Sequence, residues 1–468
     1  MRLTAKQTDR AVGALLGAAA GDALGVPYED GSRPLTGEPR MLGGGLGGIA
    51  PGQWSDDTEM ACAIALVSAT GADLRTETAL DAIAEQFLRW YDDNPPDLGL
   101  QTRTVLSQGP GSAAQMRGIA ADLHTRTGRT AGNGSLMRTA PVALAHLGDP
   151  DAIAAAARAV SALTHHDPVA GEACVLWCLA IDLAVRTGRL DIRTGLGHVD
   201  KTYWAPLLTQ AETVTPAHYA HSNGWVVAVL LAAWSALSRT AALRDALIIA
   251  VQGGGDTDTI AAITGALAGA AYGSSTIPFD WRRTLHGWPG LRARDLTRLA
   301  YLTANDGQPG PGGWPSTERL SSYNGASTRT VPHPDDPGVL LGAVGALRPG
   351  IADAVVSLCR LGATQAPLTG VTPQDHLEVW LVDDEDANNN LPLILRDTAF
   401  AVQQLRNEGK TVFLHCVHAH TRTPVVAAAY GALLTGGSGR KALQRVLAVL
   451  PATPRPSIAA GLVDAFPT

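Results

Sequence analysis

From residue 8 to about residue 303, apolar residues recur at i, i+3 and i+4 with little period-two alternation, a rhythm that restricts this part of the chain to packed helices. The segments 76–91 (TETALDAIAEQFLRWY), 151–163, 168–186, 224–237 and 241–252 all keep it. Alanine supplies much of the apolar surface, so the helices are smooth and can approach closely. The expected domain is all-α, and its inter-helix loops carry the polar functional residues.

The rhythm breaks between 304 and 336, where Pro, Gly, Ser and Asn dominate and a linker is expected. Beyond it, the short strand-like runs 338–344, 354–358, 376–382 and 411–415 alternate with helical segments near 391–408 and 424–434. Strand and helix in alternation argue a small α/β domain. A chain of 468 residues is long for one domain. The organisation read from it is a helical domain over 1–303, a linker over 304–336 and an α/β domain over 337–468.

Two helix starts in the first domain carry acids. Gly253-Gly254-Gly255-Asp256-Thr257-Asp258-Thr259 precedes an alanine-rich helical run from Ile260, and Trp54-Ser55-Asp56-Asp57-Thr58 precedes another from Glu59. Each taken alone reads as an N-cap with a neighbour. If the two starts face one another, four carboxylates and the hydroxyls of Ser55 and Thr259 converge, and the repulsion calls for a hard divalent cation. All-oxygen ligation suits Mg²⁺ or Mn²⁺ and not Zn²⁺. A third loop, Asn133-Gly134-Ser135, reads either as a cradle for a pyrophosphate or as a capped tight turn.

Five motifs in order, GDALGVPYE at 21–29, WSDDT at 54–58, GNGSLMR at 132–138, Thr164-His165 and GGGDTDT at 253–259, resemble the ADP-ribosylglycohydrolase family over about residues 8 to 303. Ser55 stands where that family more often has threonine, which keeps the hydroxyl. The resemblance implies two Mg²⁺ ions, with Mn²⁺ as the substitute, held by Ser55, Asp56, Asp57, Asp256, Asp258 and Thr259. It implies Glu29 as a mobile acid that closes over the metal, with Glu29 and Asp57 assisting proton movement. Asn133, Gly134, Ser135 and His165 are implied to bind substrate. The implied reaction is cleavage of the C1″ glycosidic bond of an ADP-ribosyl adduct on a protein or a small molecule.

In the second domain, the run Val412 to Thr423 (VFLHCVHAHTRT) reads as a strand that ends at His415-Cys416 and a loop that enters a helix near Pro424. Backbone N–H groups and the helix dipole at such a turn hold an anion, and the same field favours the thiolate of Cys416 as a nucleophile. Arg422 can grip phosphate oxygens with its planar fork. This resembles the dual-specificity, cysteine-dependent phosphatases over about 337 to 460. That resemblance implies a phosphate-bearing ligand and an aspartate general acid on an upstream loop. Asp384 is the choice, at 416 − 384 = 32 residues before the cysteine, with Asp383 and Asp386 as rivals. Ala419 occupies a position where the family loop carries glycine, so a positive φ there implies strain and slow turnover.

A net charge of -7 offers no basic patch and argues against nucleic acid or anionic membrane as partner. Five scattered cysteines form neither a disulfide framework nor a CxxC pair, which fits the reducing cytoplasm. The apolar run 11–26 after Lys6 and Arg10 has the look of a signal sequence. Asp22 interrupts it and the first motif lies within it, so export is not expected, nor is a segment long and apolar enough to cross a bilayer. The competing reading is a binding or sensing module without turnover. A third has both domains acting on one phosphorylated ADP-ribose.

Overall fold

The computed structural model describes residues 2–467. The chain forms two compact units, one built from Gln7–Ile277 and Thr284–Gln308, the other from Thr4–Lys6, Pro278–Arg283 and the chain from Pro309 on.

The first unit is helical apart from a two-residue strand pairing at His286–Gly287 with Leu291–Arg292. Its centre is set by glycine. Gly13, Gly17, Gly21 and Gly25 fall every four residues along the helix Ala5–Gly25 and lie against the helix Thr257–Tyr272. A Cβ on Gly17 would stand 2.3 Å from the Gly265 carbonyl oxygen, and one on Gly21 would stand 2.0 Å from that of Ala261. The backbones touch, which only residues without a side chain allow. This contact brings Asp22 of one helix beside the start of the other.

Two helical segments, Ala5–Gly31 and Pro168–Thr187, are long and apolar enough to cross a bilayer by length and composition, contrary to the expectation above. Their apolar windows are 100% and 78% buried inside the fold. Packing between helices accounts for their apolarity.

The second unit is a five-stranded sheet covered by helices. With its strands numbered β1 (Thr330–His333), β2 (Asp336–Ala343), β3 (Ala354–Ser357), β4 (His376–Glu378) and β5 (Val412–Cys416), the order is β1-β2-β5-β3-β4. β1 pairs antiparallel with β2, and every other pairing is parallel. The central β5 is buried along its whole length, and Val412, Leu414, Val356 and Leu341 pack into one core with the helices Leu391–Asn407 and Arg422–Thr435. This is the small α/β arrangement the sequence led us to expect. Within 304–336, however, the chain is built into the fold. Trp314 is buried under the Arg360 guanidinium at 4.8 Å, Leu320 is buried, and β1 closes the edge of the sheet. Composition alone outweighed these apolar anchors in the reading of that stretch.

Candidate active site

The helices Asp56–Ser68 and Thr257–Tyr272 begin at the same place, and neither is capped by its own N-cap side chain. The capping alternative for Ser55 and Asp256 therefore fails. Asp22 does that work for the first helix from outside it. Its Oδ1 accepts from Ser55 N at 2.9 Å and Ser55 Oγ at 2.9 Å, and its Oδ2 from Thr58 N at 3.0 Å and Thr58 Oγ1 at 2.6 Å. With all these bonds made, Asp22 locks the Ser55–Thr58 turn in place and frees Asp56 and Asp57 to point elsewhere.

They point into a cavity of about 220 Å³, whose acidic wall is Glu29, Asp56, Asp57, Asp97, Asp256 and Asp258. One carboxylate oxygen from each of Asp22, Asp57 and Asp258 lies within 4.8 Å of the others, and the same holds for Glu29, Asp97 and Asp258. Asp57 Oδ2 accepts from Ser55 Oγ at 3.1 Å and Thr259 Oγ1 at 3.3 Å, whereas its Oδ1 is buried with no hydrogen-bond partner. Burial raises every one of these acids for which a shift is resolved, and repulsion from neighbouring acids adds to it at Glu29, Asp56, Asp57, Asp256 and Asp258. Burial first, then Asp97, pushes Glu29 up to about 8, and burial brings Asp22 to about 6. Asp56, Asp57 and Asp258 are held well above the ordinary carboxylate range, burial again leading and neighbouring acids adding. A cluster of oxygen donors with an orphaned buried oxygen at its centre fits a hard divalent cation.

The cavity is also lined by Gly132, Asn133, Gly134 and His165. Asn133 Nδ2 donates to Asp256 Oδ2 at 2.6 Å and to the Asn223 carbonyl at 3.1 Å, so this side chain orients an acid. Two residues expected at the site do not reach the cavity. Ser55 is fully buried behind Asp57, its hydroxyl shared between Asp22 and Asp57. Ser135 is turned under its loop, where Ser161 Oγ donates to it at 3.0 Å and Cys174 Sγ lies at 3.6 Å. Both small hydroxyls satisfy buried neighbours instead of facing a ligand. Two acids at the site were not among the expected site residues. Asp22 is the one charge in the apolar run 11–26; Asp97 follows Pro95-Pro96 in a loop and carries no local signal.

The second unit has its own concave site of about 440 Å³, lined by Cys416, Arg422, Asp383, Arg455 and the loop between β5 and the helix Arg422–Thr435. Arg422 Nη1 donates to the carbonyls of Leu358 at 2.6 Å and Leu381 at 3.2 Å. Its Nε is buried with no hydrogen-bond partner and stands 3.6 Å from Asp383 Oδ2. Asp383, not Asp384, is the acid at this pocket; Asp384 instead accepts from Glu385 N at 2.9 Å. Behind Cys416, Ser357 Oγ joins His415 Nε2 at 2.7 Å to His376 Nε2 at 2.9 Å, and burial pushes His415 down to about 4. Ala419 sits at φ +59°.

Comparison with known proteins matches the helical unit to a family. The family model described as ADP-ribosylglycohydrolase matches residues 3–311. The ADP-ribosyl-[dinitrogen reductase] glycohydrolase of Rhodospirillum rubrum is 31% identical over 287 residues, 58% of this chain and 89% of that one. The ADP-ribosylarginine hydrolase Tri1 of Serratia proteamaculans is 30% identical, covering 58% of this chain and 74% of its own. Among solved structures, human DUSP28 is 25% identical over 29% of this chain and 95% of its own, with a TM-score of 0.24. With a family match over more than half its length, the chain belongs to the ADP-ribosylglycohydrolases, hydrolases of a glycosidic bond, and continues past that match into a small α/β unit.

Proposed function

We propose that this protein is a Mg²⁺-dependent hydrolase that cleaves the C1″ glycosidic bond of an ADP-ribosyl adduct, releasing free ADP-ribose. The observation that carries this reading is the acidic cavity with Asp57 Oδ1 buried and unpartnered at its centre. Two carboxylate triads that share Asp258 support a pair of ions. Asp56, Asp57, Asp256, Asp258 and Thr259 would hold them, with Glu29 and Asp97 on the outer side. Bound there, such ions would offset the repulsion among the acids and would supply Lewis-acid polarisation of the substrate sugar.

The chain's own groups supply the rest. Asn133 fixes Asp256, and Asp22 fixes the turn that presents Asp56 and Asp57. Glu29, which lines the cavity beside these acids, is assigned to hand a proton to the departing atom as the C1″ bond breaks. Water then adds at C1″, and its surplus proton returns to an acid of the same wall. The name of the second relative, an ADP-ribosylarginine hydrolase, makes arginine the first adduct to test. We further propose a cytoplasmic enzyme, a reading supported by five free, buried cysteines.

The test is a panel of defined adducts on arginine, serine, a nucleic-acid base and a small molecule, each with Mg²⁺, Mn²⁺ or chelator. Release of ADP-ribose from one adduct class with metal and none without it is the expected result. No release under any condition would leave a binding or sensing module.

A second activity is proposed for the α/β unit because the buried Arg422 Nε is unpartnered beside Cys416. The unit binds a phosphate ester and hydrolyses it slowly. Cys416 Sγ attacks phosphorus, the ester oxygen leaves with a proton from Asp383, and water cleaves the phosphocysteine. A phosphorylated ADP-ribose is then a substrate for both units. Vanadate binding that disappears in Cys416→Ser supports this; a chain that neither binds vanadate nor traps a phosphocysteine refutes it.

A further inference from the structure

The Gly132–Gly134 side of the cavity is backed by three side chains whose hydrogens can be assigned. Arg138 is fully buried, its guanidinium carbon 4.6 Å over the Phe87 ring. From Nη2 it donates to Thr164 Oγ1 at 2.7 Å. A guanidinium has no acceptor, so Oγ1 must be the acceptor in that bond. Thr164 is fully buried too, and the remaining hydrogen bond of its hydroxyl among the described residues is with His165 Nδ1 at 2.8 Å.

Two arrangements satisfy that distance. In one, the threonine hydrogen goes to Nδ1. In the other, an Nδ1–H points at Oγ1, and the threonine hydrogen is left buried without an acceptor, the costly choice. The first therefore holds: Nδ1 is an acceptor and the neutral ring carries its hydrogen on Nε2. Burial and the charge of Arg138 both hold His165 well below the ordinary histidine range, which agrees with a neutral ring.

The Nε2 edge faces the glycine loop. A Cβ on Gly132 would stand 3.3 Å from Nε2, and one on Gly134 would stand 3.2 Å from Cε1, so the two glycines keep the space before the ring open. Among the described residues Nε2 makes no hydrogen bond to protein, and His165 lines the cavity. An unspent, uncharged donor thus lines the same cavity as six carboxylates. A charged imidazolium in that place would act as an internal counter-ion and compete with a cation for the acids; a neutral N–H recognises an oxygen without doing so.

We propose that Arg138 and Thr164 are positioning residues that fix His165, a residue the family resemblance already assigns to substrate, as a neutral Nε2–H donor toward the ligand at the Gly132–Gly134 loop. The ligand half of this rests on the ADP-ribose reading above. The relay half does not.

The experiment uses the full chain labelled with ¹⁵N-histidine, with the His165 signals identified by their loss in His165→Gln. Long-range ¹H–¹⁵N correlation should show Nδ1 as the unprotonated nitrogen and Nε2 as the protonated one. Thr164→Val, which keeps the shape and removes the hydroxyl, should move both signals toward a tautomer mixture, and Thr164→Ser should restore them. ADP-ribose affinity, measured by calorimetry in Mg²⁺, should fall about tenfold in Thr164→Val and stay within about twofold in Thr164→Ser. A wild-type Nδ1–H, or signals unchanged in Thr164→Val, overturns the relay. Signals that move while affinity stays constant overturn the recognition step. If the wild type binds no ADP-ribose, the functional reading and the ligand half fall together, and the nitrogen signals still judge the relay.

Discussion

The two concave sites described above lie at the start of a helix, and they solve opposite electrostatic problems. In the helical unit, Asp56 and Asp258 open their helices, where the N-terminal dipole favours negative charge, and six acids gather whose mutual repulsion protons or a cation would relieve. In the α/β unit, Arg422 opens its helix, where the dipole is unfavourable to a positive charge. The carbonyls of Leu358 and Leu381 and the carboxylate of Asp383 offset it. The first site has an unpartnered acceptor, Asp57 Oδ1, and the second an unpartnered donor, Arg422 Nε. A cation would complete one, an anion the other.

The sharpest test of that contrast is to remove charge from each site. Asp57→Asn or Asp258→Asn should lower ADP-ribose release by at least about 100-fold and reduce bound metal, because each removes a charge the cation requires. Full activity and full metal content in both variants would break the contrast at its acidic end. At the other end, Asp383→Asn should slow aryl phosphate hydrolysis about 100-fold, as loss of a general acid does, while Asp384→Asn stays near wild type. The reverse order would return the role to Asp384 and show that the 383–386 loop rearranges on binding.

Acidity gives the comparison a pH dependence whose sign can be worked out for the metal-free chain. Glu29, Glu59 and Asp22 titrate at about 8, 7 and 6 in the folded state, above their ordinary values of 4.5, 4.5 and 3.8. A group raised on folding adds stability that is complete below its unfolded value and is lost as pH climbs through its folded one. The metal-free helical unit should therefore melt at progressively lower temperature from about pH 4.5 to pH 8. Mg²⁺ at a hundredfold excess over its Kd should restore about 2.7 kcal/mol, with the gain largest at the alkaline end. Scanning calorimetry with and without EDTA reads this directly. A metal-induced shift that shrinks with rising pH would contradict the account.

How far the sequence reached follows the same division. Helix starts carrying Asp56, Asp57, Asp256 and Asp258 were legible because side-chain type and helical rhythm alone place carboxylates there. That these starts meet was legible only through family resemblance. The physical reason, glycine at 13, 17, 21 and 25, stood in the sequence as a four-residue spacing that hydrophobic periodicity does not register. Burial direction was not legible at all: Ser55 and Ser135 have the hydroxyls a ligand needs, yet both face neighbours behind the cavity. In the α/β unit, the step from Asp384 to Asp383 is one residue along an irregular loop, where no period fixes which side chain turns inward. β1 was hidden because a stretch rich in Pro, Gly and Ser holds Trp314 and Leu320 at one end and an edge strand at the other, where Pro332 is tolerated.

The smallest expected effect bears on why the anion site is the more strained of the two. Ala419 has φ +59°, a left-handed conformation that a Cβ disfavours by roughly 1–2 kcal/mol. The loop that leads into Asp256 places glycine at its two such positions, Gly254 and Gly255, with φ +79° and +74°. Ala419→Gly removes the clash in the folded state but also loosens the unfolded chain, which takes back about 0.4–1 kcal/mol, so the net gain in stability should be about 0.5–1 kcal/mol. Urea unfolding followed by a probe in the α/β unit measures it. A gain of that size with unchanged aryl phosphate turnover means the loop is already correctly formed and alanine costs only stability. A gain accompanied by faster turnover means the strain also holds the backbone N–H groups off the phosphate. Loss of stability would show that the alanine methyl, buried beside Cys416, packs well enough to outweigh its own backbone.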